Sequence, residues 1–224
     1  MRKVVALVVS LIFLTAWSLP EAADQANKTL VTVGSWCSGT IVSDNKVVTA
    51  AHCLPRVRQD NSIRAAKGQP YGYKFYEPLD VTRYIFDRQG NNLGKIVYKA
   101  LVYKYDEKHD VAILANVSGV KFSEWARINT TPVKYGDKIY TIGNPAMWPN
   151  VVAEGTVIKP KLPINLGEGF IDGILFDAAI MGGSSGGGLF NDNGELIGLT
   201  NWGFSGTRYM LASPIANYVR LLNA

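Results

Sequence analysis

Cysteine and histidine are scarce in this sequence, with two of each in 224 residues. Two cysteines exclude a disulfide-dense miniprotein and any four-cysteine zinc site, and two histidines make no His-rich metal cluster. No Asp/Glu cluster has calcium-loop spacing, so neither a metal nor an organic cofactor is expected. Charge is sparse as well: 18% of residues carry it, the net value is +5, and Lys and Arg form no block or stripe. That pattern argues against nucleic-acid binding. Only the sequence pI of about 9.1 supports the opposite reading, a basic nucleic-acid- or surface-binding β protein. The ordinary hydrophobic share of 47% excludes a disordered chain.

What is present begins with an address. Arg2 and Lys3 precede an apolar run from Val4 to Trp17, shorter than the about 20 residues of a membrane span. The pattern reads as a secretory signal peptide, residues 1–18, with Ala16 and Ser18 as the small residues before the cut. An uncleaved anchor is the alternative. Loss of Arg2 and Lys3 lowers the net charge from +5 to +3. The mature protein is therefore expected in a secreted or periplasmic location, without stable membrane insertion. Residues 19–28 are polar and small and read as a spacer.

From Thr29 onward short runs rich in Val, Ile, Thr and Tyr alternate with turn residues. Strands are predicted over Ser38–Val42, Lys46–Ala50, Asp80–Asp87, Lys95–Tyr103 and Asp110–Leu114. A second set covers Lys138–Ile142, Val151–Ile158, Gly173–Asp177, Gly188–Phe190, Leu196–Thr200 and Arg208–Ala212. Asn191-Asp192-Asn193-Gly194 between apolar runs marks a hairpin. No internal repeat is visible. Many short strands suggest a barrel or a sandwich, in two β units over residues 29–130 and 131–213. A C-terminal helix is predicted over 214–224. Ser213 would cap it, Pro214 would open it, and Ile215, Val219 and Leu222 would form its apolar stripe.

Three residues stand out chemically. His52 follows an apolar strand and precedes Cys53. In a secreted chain Cys37 and Cys53 are expected to pair and hold the backbone beside His52; two buried free thiols are the other possibility. Ser185 lies in Gly182-Gly183-Ser184-Ser185-Gly186-Gly187-Gly188, which holds five of the 22 glycines. The strands on either side argue against a linker, and small neighbours let a carbonyl approach a nucleophilic serine and its N–H donors. Asp110 opens an apolar strand, either as a turn residue or as a partly buried partner for His52. His109 reads as a surface loop residue. The aromatic stretch Tyr71 to Tyr76 is a substrate loop or a packed hairpin.

Gly39-Thr40-Ile41-Val42, Thr49-Ala50-Ala51-His52-Cys53, Asp110-Val111-Ala112-Ile113-Leu114 and Gly183-Ser184-Ser185-Gly186-Gly187 occur in that order. Together they resemble the chymotrypsin/trypsin-like serine peptidases, with chain order His, Asp, Ser. Ile142-Gly143-Asn144-Pro145, Asp177-Ala178-Ala179-Ile180 and Asn193-Gly194-Glu195-Leu196-Ile197-Gly198 are similar to the HtrA-type branch. The resemblance spans about Ser38 to Pro214. It implies an all-β fold of two six-stranded antiparallel Greek-key barrels with the site between them. It also implies polypeptide substrates and a serine endopeptidase activity. Ser185 would be the nucleophile, His52 the general base and Asp110 its orienting partner. The N–H groups of Gly183 and Ser185 would form the oxyanion hole. A neutral Ala179 would floor the specificity pocket, Asn201-Trp202-Gly203 would pair with substrate, and Tyr209, Met210 and Leu211 would narrow the opposite wall. A small or medium apolar P1 residue is expected.

The pattern also departs from the family. Ser184 stands where trypsin-like zymogens place an Asp that binds a new N-terminal amine, and no Ile-Val-Gly-Gly start follows the spacer. The site is therefore expected not to need an N-terminal salt bridge, and residues before Thr29 are expected to be dispensable. The chain stops at Ala224, so the PDZ domain of HtrA-type proteins is not carried over. The alternative within the same fold is a catalytically inactive, peptide-binding homologue whose oxyanion hole Ser184 and the Gly-rich run leave misformed.

Overall fold

The computed structural model describes residues 20–55, 77–87, 89–165, 170–179 and 181–223. The expected leader, residues 1–18, and the stretch Tyr71–Tyr76 lie outside the described residues. No helix among the described residues is long and apolar enough to cross a membrane.

Twelve strands form two closed barrels. The first contains β1 (Leu30–Val33), β2 (Cys37–Ile41), β3 (Lys46–Thr49), β4 (Leu79–Phe86), β5 (Asn92–Asp106) and β6 (Val111–Asn116). The second contains β7 (Lys138–Gly143), β8 (Val151–Asn165), β9 (Phe170–Asp177), β10 (Gly188–Asn191), β11 (Leu196–Gly203) and β12 (Tyr209–Pro214). The first closes in the order β1-β2-β3-β6-β5-β4 and the second in the matching order β7-β8-β9-β12-β11-β10, every pairing antiparallel. The two halves thus share one strand plan, although the sequence carries no visible repeat. A barrel constrains which face of each residue is buried and leaves the side chain itself open.

Each barrel has its own core. Val47, Val81, Leu114 and Phe122 pack inside the first, and Ile139, Phe176, Leu189 and Ala212 inside the second. A third cluster joins them: Val48, Val111 and Ile113 meet Tyr140, Ile142, Phe190 and Leu199. Strands β3, β6 and β7 are thus buried on both faces. This explains why they read as continuous apolar runs rather than as alternating ones.

Two terminal expectations are corrected. Residues 21–27, expected as spacer, form helix α1 (Glu21–Asn27). Ala23 and Ala26, three apart on one face, are fully or nearly fully buried in the shared cluster. Alanine adds little to an apolar stripe, so the stretch looked merely small and polar. The C-terminal helix is also shorter than expected. Ser213 does not cap it; it lies buried in β12 and its Oγ–H donates to His109 O at 2.5 Å. A 3-10 turn covers Ile215–Asn217, Tyr218 interrupts it with φ −131°, and helix α2 runs over Val219–Asn223. Ile215 and Leu222 are buried as the stripe requires, together with Tyr218.

Candidate active site

His52 and Ser185 occupy equivalent places in the two barrels. His52 lies in a 3-10 turn (Ala51–Cys53) after β3, and Ser185 in the loop after β9. Asp110 sits at the tip between β5 and β6 in the left-handed region, φ 52°, where Asp is one of the few tolerant residues. That turn aims its carboxylate inward. Oδ1 accepts His52 N–H at 2.8 Å, and Oδ2 accepts the ring at Nδ1 at 2.7 Å. Asp110 is only 6% exposed, and these bonds compensate its buried charge.

A third donor comes from the other barrel. Asn201 Nδ2 donates to Asp110 Oδ2 at 2.9 Å and to Asp110 O at 2.7 Å. The ladder shows why it can. Thr200 pairs with Ala212 and Trp202 with Leu211, so Asn201 is the extra residue of a β-bulge, freed from the regular alternation of the strand. Its side chain faces Asp110, and the residue also lines the cavity beside Ser185. Its carbonyl accepts Ser185 Oγ–H at 3.4 Å, and this is the hydrogen bond of that hydroxyl among the described residues.

The loop carrying Ser185 is braced from the first barrel. Ser38 N–H donates to Ser185 O at 2.8 Å, and Ser38 Oγ–H to Gly183 O at 2.7 Å. Thr49 Oγ–H donates to Ser38 O at 2.7 Å. Between the expected donors, Ser184 N–H is engaged by Met181 O at 3.2 Å. The N–H groups of Gly183 and Ser185 make no hydrogen bond among the described residues. Two donors with no partner among the described residues thus flank one that is taken. Gly183, at φ 102°, lies so close to Asn144 that a Cβ would stand 2.3 Å from its carbonyl oxygen. Cys37 and Cys53 form a disulfide that ties β2 to the His52 turn. Their sulfurs lie within reach of His52 but are bonded to each other, so this cluster has no thiolate to offer a metal.

Beside Ser185 lies a cavity of about 420 Å³, lined by Met181, Ser184, Trp202, Gly203, Phe204 and Met210 among others, none of them charged. Ala179 is not among its lining residues. It follows Ala178, which is 0% exposed; Ala179 itself lies just beyond the end of β9 and is exposed. Met210 takes the place expected for it, close enough to Gly203 that a Cβ there would lie 2.7 Å from its sulfur. Tyr209 is exposed and Leu211 is buried in the core, so neither narrows this cavity.

His109 is not an ordinary surface residue either. Its Nδ1 lies 2.6 Å from Asp106 Oδ2, and its carbonyl takes the Ser213 bond across the barrel interface. Thr49 and Asn144 stand in the motifs that carry the resemblance and Ser38 in a predicted strand, but the sequence assigned none of them a bracing role. They are common residue types whose roles rest on partners far along the chain. The one available signal was their position beside Cys37, His52 and the Gly-Asn-Pro segment.

A family model for the trypsin-like peptidase domain matches residues 37–199, and the chain belongs to that family. Among curated proteins it is similar to the probable periplasmic serine endoprotease DegP-like of Buchnera aphidicola subsp. Baizongia pistaciae. The identity is 35% over 103 residues, covering 46% of this chain and 22% of that protein. It is also similar to the periplasmic pH-dependent serine endoprotease DegQ of Escherichia coli, 35% identical over 95 residues, covering 42% of this chain and 21% of that protein. The chain therefore aligns with about one fifth of these relatives' length. Among solved structures, the active form of the Rv3671c protease of M. tuberculosis superposes with a TM-score of 0.66 at 16% identity, over 91% of this chain and 83% of that one. The MamO protease domain of Magnetospirillum magneticum gives 0.60 at 20%, over 88% of this chain and 97% of that one. At these identities the structural likeness speaks for the fold, two barrels of the chymotrypsin type.

Proposed function

We propose that the protein is a serine endopeptidase that cleaves polypeptides through an acyl-enzyme. The observation that carries this reading is the buried Asp110 carboxylate, bonded to both His52 N–H and Nδ1 beside Ser185 in the cleft between the barrels. With Nδ1–H donating to Asp110, His52 Nε2 is left as an acceptor. For the reaction Ser185 Oγ–H has to leave Asn201 O and donate to that nitrogen. His52 then removes the hydroxyl proton as Oγ attacks the substrate carbonyl, and returns it to the leaving amine. Asp110 stabilises the imidazolium, and Gly183 N–H and Ser185 N–H bind the developing oxyanion. Water repeats the sequence to release the acyl group.

The uncharged cavity with Met181 and Met210 in its lining favours a small or medium apolar P1 residue such as Val, Ala or Leu. Discrimination by one methylene is worth only about 1–3 kcal/mol, so selectivity is modest. The apolar leader, the disulfide and the periplasmic naming of the relatives support a secreted or periplasmic site of action.

The test is digestion of an unbiased peptide library by wild type beside Ser185→Ala. Wild type is expected to cut after apolar residues, and the variant to lose on the order of 10⁶ in turnover. Cleavage mainly after Lys, Arg or Glu would overturn the specificity, and an undiminished Ser185→Ala the mechanism. The bond from Ser185 Oγ to Asn201 O favours a second reading, an inactive peptide-binding homologue. A fluorophosphonate separates the two, since only an activated Ser185 is labelled by it.

A further inference from the structure

Two peptide groups of the Ser185 loop are held by residues that the reaction never touches. Gly182 O accepts Ala146 N–H at 2.7 Å, and Gly183 O accepts Ser38 Oγ–H at 2.7 Å. In a trans peptide C=O and N–H point in opposite directions. The bond at Gly182 O therefore turns Gly183 N–H away from Ala146, on the side where no described residue takes it. If the 182–183 peptide were rotated, a carbonyl would stand where the oxyanion needs a donor.

Ala146 lies in a 3-10 turn, Pro145–Met147, in which Met147 N–H donates to Asn144 O at 3.1 Å and Trp148 N–H to Pro145 O at 2.9 Å, but its own dihedrals are not helical. Ala146 (φ 51°), Met147 (φ 64°) and Asn150 (φ 62°) all lie in the left-handed region, which disfavours residues with a Cβ and is most tolerant of Asn. Such a segment persists only where its surroundings hold it. Two asparagines do so. Asn144 is 2% exposed, and its Nδ2 donates to Val31 O at 3.3 Å and to Thr32 Oγ at 3.0 Å in β1. Its Oδ1 accepts Asn150 N–H at 3.1 Å, which closes the segment on itself. Asn150 Nδ2 then donates to Asn27 Oδ1 at 3.2 Å. Asn27 ends α1, which is seated by buried Ala23 and Ala26. At Gly194 a Cβ would stand 2.5 Å from Ala22 O, so helix and hairpin touch directly.

We propose that α1 sets the oxyanion donor, with Asn27, Asn150 and Asn144 as positioning residues that fix the 182–183 peptide through Ala146. The inference rests on the serine-peptidase reading. It reverses the expectation that residues before Thr29 are dispensable. Helix α1 then does by hydrogen bonds what an Asp and a new N-terminal amine do elsewhere in the family, which fits Ser184 in the position of that Asp.

The full chain tests it with Asn27→Ala, which removes the acceptor, and Asn150→Gly, which removes the side-chain donor but tolerates φ 62°. Asn27→Asp keeps the acceptor and serves as rescue. The readouts are kcat and KM on a peptide amide, the affinity for a peptide boronic acid that places an oxygen at the oxyanion position, and Tm. In Asn27→Ala and Asn150→Gly, kcat is expected to fall roughly tenfold, short of the ~10²–10³ for outright loss of a donor. The boronate should weaken in proportion while KM stays within about twofold, and Asn27→Asp should match wild type. Unchanged kcat in both variants overturns the proposal. So does a loss that Asn27→Asp shares, or one that falls on KM rather than kcat. A wild type that cleaves no peptide would defeat the peptidase reading itself, and so is distinguishable from insensitive variants of an active enzyme.

Discussion

A Cβ on Gly186 would meet Ser38 O and Thr49 Oγ at 2.3 Å and Ala50 N at 2.7 Å, and its φ is 82°. The first barrel closes on this one position of the second through β2 and the end of β3, so it has neither the space nor the dihedral for a side chain. Gly186→Ala is expected to destabilise by about 2–4 kcal/mol and to displace Ser185. Gly182, which has nothing within 4 Å of its would-be Cβ, should accept alanine within about 0.5 kcal/mol. Urea midpoints of the two variants check the contrast, and equal midpoints would contradict it. At this scale His52, Asp110 and Ser185 were picked out as a set by the family resemblance of their motifs in chain order, since each alone has an ordinary structural reading. The contact of Asn201 with Asp110 was not legible. Only the bulge between Thr200 and Trp202 turns its amide to Asp110, and a bulge leaves no mark in composition.

Among the elements, the β10–β11 hairpin was readable in full from Asn191 to Gly194. Its turn is fastened by Glu195, whose carboxylate accepts Asn191 Nδ2 at 2.9 Å and Asn129 Nδ2 at 2.7 Å. The Asn191 amide first, then the Asn129 amide, holds that carboxyl below its ordinary range. A carboxyl lowered in the folded state adds stability at pH values above its unfolded pKa. That stability is lost as pH falls through the folded value. Glu195→Gln should therefore lower Tm near pH 7, and the deficit should shrink as pH falls below the ordinary carboxylate range. A deficit independent of pH would assign the effect to shape rather than charge. Helix α1 was the element least legible. Its two buried alanines matter because of what Tyr140, Phe190 and Leu196 do around them, and not because of their own apolar area.

Across the whole molecule, the site is assembled at a seam. Ser38 and Asn144 bridge the barrels beneath the Ser185 loop, and Asn201 and Ser213 bridge them behind Asp110 and His109. The Cys37–Cys53 disulfide closes a loop of sequence separation 16 beside this seam, worth about 3 kcal/mol by restricting the unfolded chain. Replacing both cysteines with alanine should lower the unfolding free energy by about that amount and reduce kcat, because Ser38 and His52 flank the bridge. A denaturant titration with parallel kinetics checks both. An unchanged kcat would mean that the strands position His52 without the bridge.

The amino-acid string alone determined the strand-and-turn alternation, the Asn-Gly hairpin and the order His52, Asp110, Ser185. Each of these is written in neighbouring residues through pleat period, turn dihedrals and side-chain chemistry. Tertiary structure decided the closing of two barrels on one plan, the burial of Asp110, the exposure of Ala179 and the seating of α1. These depend on contacts between distant residues, such as Ser38 Oγ on Gly183 O across 145 positions. Burial and hydrogen-bond partnership are properties of the packed assembly, and no local window of sequence contains both partners.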